Sequence, residues 1–181
     1  MRNERPKHLS FIPHSSFCLL HFSCAILPVK SEDNLVSGDE LKATVYLAGE
    51  DLFIGVSPGG HAQVLDTNHE RSSAATPVEL LLIALGSCTA VDVISILRKK
   101  RERVTDYRVE VRGERRAENP RAFTRMEVRH VVRGRNVSEK ALAQAIELSE
   151  TKYCSVAATL RPTVEIISSY EIVEEDAASN P

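Results

Sequence analysis

Two thiols, Cys88 and Cys154, are the residues of this chain best suited to chemistry. A cysteine reacts as its thiolate, and a thiolate needs a partner to act as a peroxidase, a metal ligand or a redox sensor. Cys88 lies in an apolar stretch, residues 80–97, and Cys154 follows 66 positions later, after a second helical pattern. If the two sulfurs meet, the chain carries a redox pair. If they do not, it is an α+β domain with two small buried hydrophobes.

Their surroundings differ. Cys88 sits about 12 residues into its helix, beyond the first turn where the helix dipole acts. Asp92 is one turn further along the same face, and a carboxylate there opposes ionisation of the thiol unless a cation stands between them. Small residues Ala84, Gly86, Ser87 and Ala90 flank the thiol and leave room for another helix or a ligand. Cys154 precedes the short apolar run Ser155–Leu160. A helix starting there would offer free amides that favour a thiolate and make Cys154 a good leaving group. As a purely structural residue, Cys154 would cap or pack.

The chain has four cysteines, the others being Cys18 and Cys24. Four allow three pairings, but the spacing is loose and the core needs no staples, so a reducing cytoplasm is expected. Cys18 and Cys24 with His8, His14 and His21 match no common ligand spacing, and neither a metal nor a cofactor is expected.

The elements that must position the thiols follow from periodicity. Residues 41–47, 52–56 and 61–65 alternate as three short strands separated by turns, an antiparallel meander. Thr76-Pro77-Val78-Glu79 opens a helix: Thr76 caps, Pro77 suits the first position, and Glu79 completes a capping box. The helix is expected to run to Arg101, roughly 39 Å. Its first half, residues 78–85, is apolar all round, which calls for a second copy of the chain as cover. Strands are expected at 106–115 and 123–133 with a turn at Asn119-Pro120, and His130 on an apolar strand face reads as a hydrogen-bonded core or interface histidine. A helix from Ser138 carries Leu142, Ala145, Ile146 and Ser149 along one face. Residues 163–173 form a last strand. The fold class is α+β, an antiparallel sheet packed on a long central helix.

At 181 residues the chain fits one domain, spanning 38–176, with a frayed tail at 177–181. Residues 1–37 break every periodic run with Pro, Ser and His and read as a disordered or over-extended start. Their apolar core, 17–27, is too interrupted for a clear export signal and too short to span a bilayer. A net charge of −2 provides no field for nucleic acid or anionic membranes. The arginines between Arg98 and Arg135 alternate with Glu and apolar residues as on a wet sheet face, without an aromatic platform for bases.

Residues 77–93, PVELLLIALGSCTAVDV, resemble the central-helix signature of the OsmC/Ohr family. Residues 152–160, KYCSVAATL, resemble its second cysteine segment. The order of strands and helices agrees from Leu41 to Val173, and the Gly-Ser-Cys-Thr…Asp form is nearest the OsmC-like (YhfA-type) branch. The resemblance implies an intertwined homodimer and a thiol-dependent peroxidase for organic hydroperoxides in oxidative stress defence. Carried over by residue, Cys88 would be the peroxidatic thiol and Cys154 the resolving thiol, with a dithiol such as a dihydrolipoyl group as reductant. An interface pocket lined by residues such as Leu85 and Tyr153 would take the apolar peroxide. Family peroxidases keep a glutamate directly after the helix-opening proline. Val78 stands there in this chain, and Glu79, the next residue, is the candidate for that role. They also use an arginine from the amino-terminal hairpin. None lies between Gly38 and Glu70 here, so Lys42, His61, His69 and Arg71 are the substitutes on offer. The alternative is a non-peroxidase dimer binding a small ligand or electrophile, with the cysteines as sensor or structural residues.

Overall fold

A computed structural model describes residues 40–175. The expectations for residues 1–37 and 177–181 lie outside the described residues.

Three short strands come first: β1 (Thr44–Gly49), β2 (Leu52–Val56) and β3 (Ala62–Asp66), an antiparallel meander in the order β1-β2-β3. A loop leads to the long helix α1 (Pro77–Lys99). Then follow β4 (Arg103–Arg115), β5 (Phe123–Arg135), α2 (Glu139–Leu148), a π-helical turn (Ser149–Tyr153), α3 (Ser155–Leu160) and β6 (Glu165–Glu174). The fold is α+β. In the second sheet, β4-β5-β6, the β4–β5 pair is antiparallel but β6 runs parallel to β5. The expected antiparallel sheet is therefore mixed. The segment from α2 to α3 forms the crossover that a parallel pair requires.

α1 starts where the capping signal places it. Glu79 N–H donates to Thr76 Oγ1 at 3.3 Å, and Thr76 N–H donates to Glu79 Oε2 at 2.7 Å. The helix stops two residues earlier than expected. Lys100 closes it, and Arg101 turns the chain with a positive φ of 62°. That early exit lets β4 begin at Arg103. An 18-residue window of α1 has mean hydropathy 2.3, apolar enough to cross a bilayer, yet the helix packs along β4, α2 and α3.

The core has two parts. Val93 and Leu97 of α1 meet Val132 of β5 and Leu142, Ala145 and Ile146 of α2. Nearer the start of α1, Leu85 meets Met126, Val128, Ala157 and Cys154, with Cys88 packed at the edge. Gly86 sets how closely α1 lies on β4: a Cβ there would stand 3.0 Å from Val111 Cγ2, so a larger residue would push helix and strand apart.

Candidate active site around Cys88 and Cys154

α1 and the α2–α3 corner bring the two thiols together. The π-helical turn Ser149–Tyr153 ends α2, with the Cys154 N–H donating to Ser149 O at 2.8 Å. The wide turn sets Cys154 at the amino end of α3 and delivers its side chain to the core, where it is 3% exposed. Such turns recur at functional sites. Cys88, half-buried, comes from the α1 face opposite. The two sulfurs and a carboxylate oxygen of Asp92 all lie within 4.8 Å of one another. Both cysteines are free thiols.

A short polar chain holds Asp92. Ser149 Oγ donates to Asp92 Oδ2 at 2.9 Å and lies 3.0 Å from Thr89 Oγ1. A hydroxyl has a single proton, so with Ser149 donating to Asp92, Thr89 donates to Ser149. Ser149 is fully buried and Thr89 nearly so. Sequence reasoning placed Ser149 on the apolar stripe of α2 without assigning it a task. A serine on a core stripe was the available signal.

Cys154 caps α3: its Sγ accepts from the Ala157 N–H at 3.4 Å. The expectation that this position yields an easily formed thiolate is not met. Burial pushes the Cys154 thiol above its usual range, and the neighbouring Cys88 and Asp92 push it further. The Ala157 amide opposes them only in part. α3 is a six-residue helix with little dipole to offer.

The other candidates lie elsewhere. Glu79 is committed to the capping box and is exposed at the start of α1, outside the cluster of sulfurs and Asp92. Its carboxyl is held below its usual range by the Thr76 backbone and side-chain bonds, with a smaller effect from the charge of His69. Arg71 is engaged with buried Asp66, donating from Nε to Oδ2 and from Nη2 to Oδ1, both at 2.8 Å, and to Glu50 O at 2.9 Å. It locks the loop before α1. Lys42, His61 and His69 are exposed. Within the single chain Leu85 lies in the core and Tyr153 is 48% exposed. An apolar groove of about 350 Å³ lies between α1 (Leu82, Ile83, Ser87, Ala90) and β4 (Val109, Val111), and neither cysteine lines it.

Beside the site, His130 is fully buried with Nδ1 2.6 Å from Tyr107 Oη, the hydrogen-bonded core histidine expected. Burial, and then the charge of Asp92, push the Tyr107 phenol well above its usual range.

The geometry can be set beside known proteins. The sequence model of the family described as OsmC-like protein matches residues 69–169. Protein YhfA of Escherichia coli K12 is 45% identical over 121 residues, which is 67% of this chain and 90% of that protein. The crystal structure of a hypothetical protein from Aquifex aeolicus VF5 is similar at 34% identity and a TM-score of 0.69, covering 77% of this chain and 100% of that one. The fold also matches an organic hydroperoxide resistance protein from Elizabethkingia anophelis at 13% identity and a TM-score of 0.57, over 76% of this chain and 99% of that one. The match to the family spans more than half of the sequence and both cysteine segments, and the chain belongs to the OsmC-like family.

Proposed function

We propose that this protein is a dimeric thiol peroxidase that reduces organic hydroperoxides through Cys88 and Cys154. One observation carries the reading: two free thiols 66 positions apart converge to within 4.8 Å at a core edge. In the first step the Cys88 thiolate attacks the peroxide bond. The bond breaks, the alcohol leaves with a proton, and Cys88 is oxidised to a sulfenic acid. Cys154 then attacks that sulfur, water leaves, and a disulfide forms. A dithiol, of the dihydrolipoyl type, returns both sulfurs to thiols and is itself oxidised to a disulfide. The half-buried Cys88 meets the oxidant, and the buried Cys154 resolves. The same fold occurs in proteins named for organic hydroperoxide resistance.

In this reading the second copy covers α1. Leu81, Ala84, Cys88 and Val91 share one helix face, and Leu81 and Val91 are exposed in the single chain. A partner seated there would enclose Cys88 in a water-poor cleft. The reading also places the protein in a reducing cytoplasm, where both thiols stay free.

Consumption of cumene hydroperoxide with a dithiol is the test. Cys88→Ser should abolish turnover, and Cys154→Ser should leave a sulfenic acid trappable by dimedone. Unchanged consumption by Cys88→Ser rejects the proposal. A second reading, a dimer in which Cys88 forms adducts with electrophiles without turnover, is favoured by the commitment of Arg71, the one arginine among the substitutes on offer, to Asp66. Stoichiometric alkylation without peroxide turnover distinguishes it.

A further inference from the structure

We propose that Cys88, Asp92 and Cys154 form a binding site for a thiophilic divalent cation, of which Zn²⁺ is the natural example and Cd²⁺ the convenient probe. The sequence offers no ligand spacing for such a site, because its two thiols lie 66 positions apart and only the α2–α3 corner unites them.

Three observations carry the inference. The first is geometry. Two sulfurs at about 2.3 Å from a tetrahedral zinc ion stand roughly 3.8 Å apart, and a carboxylate oxygen at about 2.1 Å stands roughly 3.6 Å from each. All three ligand atoms here already lie within 4.8 Å of one another, so small side-chain rotations close the set. Three protein ligands leave a fourth position open to water.

The second is support behind the ligands. A ligating carboxylate is held in metal sites by hydrogen bonds from outside the first layer. Asp92 has this arrangement: Ser149 holds Oδ2, and Thr89 in turn holds Ser149, both from buried positions. One of the Asp92 carboxylate oxygens lies within 4.8 Å of both sulfurs.

The third is charge. Two thiols and a carboxylate, three groups that carry negative charge when ionised, share one space with their ligand atoms within 4.8 Å of one another. Arg71, the arginine nearest in sequence before α1, is engaged with Asp66. A divalent ion supplies the opposing positive charge. Its binding releases the proton of each thiol to solvent, forms two metal–sulfur bonds and one metal–oxygen bond, and changes no oxidation state. Two thiolates and one carboxylate then leave the centre at a net charge of −1. An occupied site has neither thiol free to meet an oxidant, and disulfide formation at the same pair removes two of the three ligands.

The inference needs reduced thiols but not catalytic turnover. The full chain carrying Cys18→Ser and Cys24→Ser, reduced and freed of metal, is titrated with Cd²⁺ and followed by the near-ultraviolet sulfur-to-cadmium band and by metal analysis. One Cd²⁺ per chain is expected, displaced by Zn²⁺. Cys88→Ser and Cys154→Ser should each lose about half of the band and bind at least tenfold more weakly. Asp92→Asn should keep the band and weaken binding by about 10–100-fold. Alkylation of half-buried Cys88 in the same Cys18→Ser, Cys24→Ser chain removes a ligand without a substitution at the site, and it should have the same effect as Cys88→Ser. No saturable binding, or a full band surviving loss of either cysteine, overturns the proposal. Cadmium binding without hydroperoxide turnover rejects only the peroxidase reading. Turnover without cadmium binding rejects only the metal site.

Discussion

Cys154 keeps its proton for reasons that, in the proposed mechanism, also set how fast it would resolve a sulfenic acid. Burial raises its pKa first, and Cys88 and Asp92 add to the rise. A resolving thiol of raised pKa is mostly protonated at neutral pH, so disulfide formation from oxidised Cys88 should accelerate as pH is raised. Stopped-flow mixing with cumene hydroperoxide would give this rate. Asp92→Asn removes one of the charges that hold the proton on, and it should speed resolution at pH 7. A slower or pH-independent resolving step would assign the rate to something other than Cys154 ionisation. A second titration belongs to His130. Burial lowers its pKa to about 4, against about 6.5 in an unfolded chain. Between those values the unfolded state binds more protons, so folding stability should fall as pH drops from about 6.5 towards 4. Urea unfolding at a series of pH values should show that slope, and His130→Gln should flatten it. The residues of the pair were legible in the sequence by type and motif. The hydroxyls that orient Asp92 were not, since Ser149 reaches Asp92 across 57 positions and Thr89 meets Ser149 across 60.

α1 is the element on which sequence and structure agree most closely, because its start is written in local chemistry. Thr76, Pro77 and Glu79 each satisfy or dispense with an amide that the first turn leaves unpaired. Thr76→Ala should cost about 1 kcal/mol of stability by chemical denaturation. Glu79→Gln keeps an acceptor for the Thr76 N–H, so stability should hold nearly steady and peroxide turnover should remain within about twofold of wild type. A collapse of turnover with the helix intact would instead draw Glu79 into the chemistry from across a dimer. Elements governed by distant contacts were harder to read. The direction of β6 depends on the path of the α2–α3 crossover, which returns the chain to the end of the sheet where β5 began, and periodicity along β6 is the same for parallel and antiparallel pairing. The π-helical turn inserts its extra width through a Cys154-to-Ser149 backbone bond, which no side-chain pattern announces. Arg101 ended α1 by a positive φ that a lysine- and arginine-rich helix end does not signal.

At the scale of the molecule, the described residues leave several large apolar side chains uncovered in the single chain. Leu41, Val45 and Leu47 are 79%, 63% and 71% exposed at the amino-terminal sheet, and Ile83 and Val91 are 57% and 66% exposed on α1. Isolated exposed leucines are ordinary, but a helix with open apolar residues on either side of Cys88 is the surface that the proposed second copy would cover. A second copy related by a two-fold axis would meet the same patch twice, so each substitution in it counts twice. Burying one valine contributes about 1.5 kcal/mol. Losing two per dimer in Val91→Glu amounts to about 3 kcal/mol, or roughly 100-fold in the dimer dissociation constant. Sedimentation should show a dimer for wild type and a shift towards monomer for Val91→Glu at the same concentration, with a thermal midpoint that falls on dilution. Val91 lies one turn from Cys88, so dissociation should also admit water and iodoacetamide to the thiol and raise its alkylation rate while lowering peroxide turnover. If Val91→Glu left sedimentation unchanged, α1 would have to be covered by some other surface, and the enclosed cleft proposed for Cys88 would lose its second wall.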